Sequence, residues 1–125
     1  MKFLNSSLSE HRNPDILKKK QLIEKEIKEK KLLEQLDPVA AEKSKSLGNE
    51  AYKKGDFPTA MKHYNESAIQ NPSDSKLFRN RAACYSKLMA FPDALKDCES
   101  SIKLDPTFVK AYVQKGSVLV RHIFD

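Results

Sequence analysis

Tryptophan is absent from this chain, and glycine and cysteine are scarce, with three and two residues in 125. So few glycines leave little means of building the tight hairpin turns of an all-β fold. No run approaches the ~20 apolar residues of a membrane-spanning helix, which excludes an integral membrane protein of the helical kind. The opening MKFLNSSLSEHRNPD has too short an apolar run for a signal peptide. Cys84 and Cys98 form no Cys-x-x-Cys pair and, in the reducing cytoplasmic or nuclear setting expected here, read as buried small hydrophobes. Chemistry-bearing motifs are missing too. LGNEAYKKG lacks the Gly-Lys-Ser/Thr ending of a phosphate loop, and His11, His63 and His122 are too scattered for a metal site. Asp97-Cys98 looks like a reactive pair only in isolation, and packing is its expected role. The chain is expected not to be an enzyme, and to carry neither cofactor nor metal.

Charge, by contrast, is abundant. Charged residues make up 32% of the chain, hydrophobic ones 39%, and the net charge is +6. Nine basic and seven acidic side chains fall in residues 1–40, fourteen and ten in residues 41–125. A nucleic-acid binder clusters its positive charge on one face. Here the excess is spread and mixed with acid, which fits a solvated surface or a groove that draws in a short acidic ligand.

A period of 34 organises most of the chain. Shifting the sequence by that amount lays Phe57 on Phe91, Pro58 on Pro92, Ala60 on Ala94, Lys62 on Lys96 and Pro72 on Pro106. Gly48 falls on Ala82 and then on Gly116, and Phe78 on Tyr112. The matches are small, aromatic and proline positions, where packing and chain direction are constrained. Each period reads as two helices, at about 41–54 and 57–71 and again at about 75–88 and 91–104. Pro58 and Pro92 sit in the first turn of the second helix, where a missing N–H is harmless. Pro72 and Pro106 follow helix ends. A further helix runs from about Val109 to 121, and GSVLVRHIFD supplies no third Phe-x-x-Ala half. Glycine inside a helix costs ~1 kcal/mol relative to alanine. Gly48, Ala82 and Gly116 are therefore expected to mark close approach to the paired helix. Tyr52 and Tyr64 are expected in the core.

Residues 1–40 differ. Asn13-Pro14 is a helix-start signal and Asp37-Pro38 an end. Between them Ile16, Ile23, Ile27, Leu33 and Leu36 make an imperfect stripe, with Glu24/Lys28 and Glu26/Lys30 as favourable i,i+4 pairs. A long amphipathic linker or capping helix is the expectation. The expected organisation is thus 1–40 for this helix, 41–74 and 75–108 for two full repeats, and 109–125 for a shortened third.

In a stack of helix pairs the first helices line a concave groove. On that face fall Lys45, Asn49 and Tyr52 from the first repeat. The second gives Lys76, Arg79 and Asn80, with Lys87 nearby, and the third Lys110 and Gln114. No carboxylate stands at these positions. Cations and amides suit an anionic ligand with peptide backbone to bind.

These residues carry a resemblance. Leu47, Gly48, Tyr52, Phe57, Ala60, Tyr64 and Pro72 match the pattern of the tetratricopeptide repeat (TPR), an all-α helix-turn-helix solenoid. KSLGNEAYKKGDFPTAMKHY, LFRNRAACYSKL and ALKDCESSIKLDPTFVKAY resemble the carboxylate-clamp TPR co-chaperones. The likeness is strongest to the heat-shock-protein-organising (Hop) family, at its second central TPR domain with the preceding linker helix, and it covers nearly the whole chain. The resemblance implies an adaptor that binds the Glu-Glu-Val-Asp tails of the 70- and 90-kilodalton heat-shock proteins, with neither nucleic acid nor membrane as partner. It also implies a clamp of Lys45, Asn49, Asn80 and Lys110. The family's fifth clamp residue is arginine where Gln114 stands here, so weaker tail binding is expected, with Arg79 as a substitute charge and Tyr52 and Lys76 as further groove residues. A scaffold for other protein partners with a weakened tail site is the alternative. The shortened third repeat is expected to expose an apolar face around Tyr112, Val118 and Leu119.

Overall fold

The structure is a computed structural model that describes residues 14–124. The described residues form six helices: α1 (Pro14–Glu34), α2 (Pro38–Lys53), α3 (Phe57–Gln70), α4 (Ser75–Lys87), α5 (Phe91–Leu104) and α6 (Val109–Phe124). The chain divides after Gln35 into two units.

The first unit is α1. Its i,i+4 pairs and lack of internal glycine favour the helix, but it buries no residue. Ile16, Ile23, Ile27, Leu33 and Leu36 are all exposed, so the irregular stripe does not become a buried face. Asn13 lies outside the described residues. Asp37-Pro38 acts differently from expectation: it opens α2. The Asp37 side chain accepts from Ala40 N at 3.1 Å, Pro38 occupies the first turn, and Asp37 N donates to the Gln70 carbonyl at 2.9 Å. Proline's fixed φ suits a helix start as readily as a stop, so the boundary lies about three residues earlier than expected.

The second unit is an all-helical TPR solenoid in which α2 packs on α3, α4 on α5, and α6 on α5. The close approach at Gly48 is real. A Cβ there would stand 2.6 Å from Cε1 of Tyr64, whose ring is 1% exposed. Ala82, Ala60 and Ala94 are fully buried. Gly116 departs from expectation, because nothing lies within 4 Å of its Cβ position.

The period also repeats in hydrogen bonds. Ser67 Oγ donates to the Ala41 carbonyl at 2.8 Å, and Ser101 Oγ, one period on, donates to the Ser75 carbonyl at the same distance. Each bond ties the second helix of a pair to the start of the first, and both serines that donate are fully buried. Gly55 (φ 79°) and Met89 (φ 61°), again one period apart, make the same left-handed turn between paired helices.

Two clusters form the core. One joins Ala51, Ala60, Tyr64, Leu77 and Cys84, the other Ala82, Phe91, Ala94, Cys98 and Val118. Val118 is therefore a core residue, since α6 turns it onto α5. Tyr112 and Leu119 are exposed as expected. Burial pushes both thiols up to about 11, which keeps them protonated at neutral pH. Arg81 fixes α4 to α5. Its Nε and Nη2 donate to the two Asp97 oxygens at 2.7 and 2.9 Å, and its Nη1 donates to Asn65 at 3.2 Å. Among the described residues no helix is long and apolar enough to cross a membrane, and no cluster of metal-ligating side chains occurs.

Candidate functional site

The groove face is built from α2, α4 and α6. Helical spacing stacks Asn49 and Lys53 one turn apart on α2, and they line one cleft with Tyr52, Tyr64, Arg79, Asn80, Ala83 and Gln114. Polar contacts link four of these residues. Arg79 Nη1 donates to Asn80 Oδ1 at 3.3 Å, Asn80 Nδ2 donates to Asn49 Oδ1 at 3.1 Å, and the Tyr64 hydroxyl donates to the same Asn49 oxygen at 2.6 Å. Burial holds the Tyr64 phenol well above its ordinary value, so it remains a neutral donor. With Asn49 Oδ1 taken twice, its Nδ2 is the atom left for a ligand. Arg79 Nε is buried without a partner. Gly48 belongs to this arrangement, because its missing side chain lets the Tyr64 ring lie where its hydroxyl reaches Asn49.

The sequence-chosen residues do not all meet in one place. Asn49, Tyr52, Arg79, Asn80 and Gln114 share the cleft. Lys45 and Lys76 line a neighbouring one with Glu42, Asp74 and Asp105. Lys45 is engaged there: its Nζ donates to Asp74 Oδ2 at 2.7 Å and to Glu42 Oε1 at 2.9 Å. Burial works against its charge, and the two carboxylates outweigh burial, so its pKa lies above the usual lysine value. The groove thus has carboxylates, contrary to expectation: Glu42 one turn before Lys45 on α2, and Asp74 and Asp105 in turns beyond the reach of a helical period. Lys110 is exposed on α6.

Two cations join the groove that sequence reasoning passed over. Lys53 lies one turn beyond Asn49. Arg121 lies two turns beyond Gln114 and lines an adjoining cleft with Tyr52, Ala83, Ser86, Lys87 and Gln114, donating to Ser86 Oγ at 3.2 Å. The i+4 and i+7 spacings were the signal for both. Chemically the arrangement offers amide, ammonium and guanidinium donors.

No protein-family model matches the chain. Against curated proteins it is 49% identical over 112 residues to the Hsp70-Hsp90 organizing protein of Triticum aestivum, covering 90% of this chain and 19% of that protein. It is 45% identical over 113 residues to stress-induced-phosphoprotein 1 of Caenorhabditis elegans, covering 90% of this chain and 35% of that protein. The chain therefore spans about a fifth of the first of these relatives and about a third of the second. Among solved structures it is similar to the TPR2AB domain of yeast Sti1 in its pHSP90 complex. The TM-score is 0.83 and the identity 39%, with 95% of this chain and 46% of that one covered.

Proposed function

From the chain's place among the TPR segments of Hop/Sti1-type co-chaperones, we propose that it is a non-catalytic adaptor module. It receives the acidic C-terminal Glu-Glu-Val-Asp tail of a 70- or 90-kilodalton heat-shock protein in the α2–α4–α6 groove. The observation that carries this reading is the Arg79–Asn80–Asn49–Tyr64 network. It orients two mid-helix asparagines, residues that weaken helices and need another reason to be there, so that their amides serve a ligand. The terminal carboxylate takes the Asn49 and Asn80 amides. Lys45 and Lys110 neutralise the acidic side chains, and Lys76 and Lys53 add to the positive field. Tyr52 packs against the valine, beside Phe57 at a ring separation of 5.4 Å. Gln114 donates a hydrogen bond without charge, and Arg79 supplies the cation beside it.

Side-chain truncation tests the assignment. A charge-assisted hydrogen bond is worth ~1.5–3 kcal/mol, or about ten- to a hundredfold in affinity. Arg79→Ala is expected to weaken tail binding by at least tenfold with the helical spectrum intact, read by calorimetric titration. Asn49→Ala, which removes the amide that Tyr64 and Asn80 hold in place, is expected to do the same. Unchanged affinity in both variants would move the ligand elsewhere on the surface.

A further inference from the structure

Asp74 stands in the turn between α3 and α4 and divides its two oxygens between two tasks. Oδ1 accepts from the backbone N–H groups of Lys76 and Leu77 at 3.1 and 3.4 Å, capping α4. Oδ2 takes the Lys45 ammonium at 2.7 Å. The two side chains are only 11% and 17% exposed, so solvent screens this pair poorly. Glu42, the other carboxylate on Lys45, is 65% exposed, so water screens its pairing far more. The contact bridges 29 residues and ties α2 to the turn that caps α4.

We propose that Asp74 is an internal competitor for the ligand's carboxylate on Lys45, a specificity device that rests on the adaptor reading above. Two of the three N–H donors of the ammonium are taken, by Asp74 and Glu42, so an arriving carboxylate has to displace Oδ2 or share the ammonium with it. Asp74 then remains beside the newcomer as a like charge. Exchange at Lys45 alone therefore yields no net gain in charge pairing. The gain has to come from a second anchor on the Asn49–Asn80–Arg79 network. A ligand presenting one isolated acidic side chain is rejected. A ligand with a terminal carboxylate and an acidic side chain, spaced to reach both clefts, is accepted. Discrimination of this kind comes from a built-in penalty against the wrong ligand as much as from attraction to the right one.

The division of labour between the oxygens supplies a clean variant. Asp74→Asn keeps an acceptor at Oδ1, and asparagine caps helices as well as aspartate, while the competing charge is lost. Titrated with a peptide ending in Glu-Glu-Val-Asp, Asp74→Asn is expected to bind at least fivefold more tightly than the unaltered chain. The gain is expected to vanish in a Lys45→Ala background. Equal or weaker binding by Asp74→Asn, with an unchanged thermal melt, would overturn the proposal and make Asp74 a residue that merely positions Lys45. A second readout separates this from the adaptor reading. With N-acetylaspartate as the probe, the Lys45 side-chain NMR signal is expected to shift at several-fold lower concentration in Asp74→Asn. If neither form binds the tail peptide, the adaptor reading falls. The N-acetylaspartate comparison then decides the Asp74 proposal by itself, and equal responses would overturn it.

Discussion

Gly48 and Gly116 occupy the same place in the repeat and are expected to respond in opposite ways to the same substitution. At Gly48 the added methyl would meet the Tyr64 ring at 2.6 Å. Overpacking of that kind costs ~1–3 kcal/mol, against which helix propensity returns ~1 kcal/mol. Gly48→Ala is expected to lower the denaturation midpoint, and to weaken ligand binding because the shifted ring pulls its hydroxyl from Asn49. At Gly116 nothing lies within 4 Å, so Gly116→Ala is expected to raise stability by ~0.5–1 kcal/mol through propensity alone. Urea melts of the two variants check both signs. The period of 34 made the equivalence legible in the sequence. It could not tell the two glycines apart, because smallness at a position records an approach only when a bulky partner such as Tyr64 stands opposite.

Between helices, the Arg81–Asp97 pair is a two-pronged tie with little exposure to solvent. Its partners have side chains only 18% and 6% exposed, and the guanidinium also lies 5.3 Å from the Phe78 ring centre and 5.8 Å from that of Tyr85. Removing one member of a buried pair leaves an uncompensated charge and costs ~3–5 kcal/mol. Asp97→Ala is expected to destabilise the chain by about 3 kcal/mol, read from equilibrium denaturation. The helices themselves were readable from proline positions and periodicity, since both follow from local backbone constraints. Two features at their ends were less so. Asp37-Pro38 has the sequence of a stop, and the Asp37 side chain caps the following helix. Val118 falls in an apolar run with no second helix half after it, yet the rotation of α6 against α5 buries it. Both depend on which neighbouring helix is present, and a one-dimensional pattern does not carry that.

Across the whole molecule, the groove combines residues from three helices that the repeat period brings into register. Asn80 and Gln114 were legible together because they stand one period of 34 apart, and Asn49, 31 residues before Asn80, by its place on the groove face of its own helix. The engagement of Lys45 by Asp74 was not, since Asp74 lies in a turn whose side-chain direction no helical period fixes. Lys53 and Arg121 extend the positive groove along the helix axes beyond the positions that the repeat register marked. An account in which a cationic, amide-lined groove grips a terminal carboxylate makes one requirement above the others. The most direct measurement is a calorimetric titration of this chain with a short peptide ending in Glu-Glu-Val-Asp, beside the same peptide carrying a C-terminal amide, at low and high salt. The account predicts saturable binding of the free acid, weakened by salt, and at least tenfold weaker binding of the amide. Equal affinity for the two peptides, or no binding of either by a fully helical chain, would contradict it.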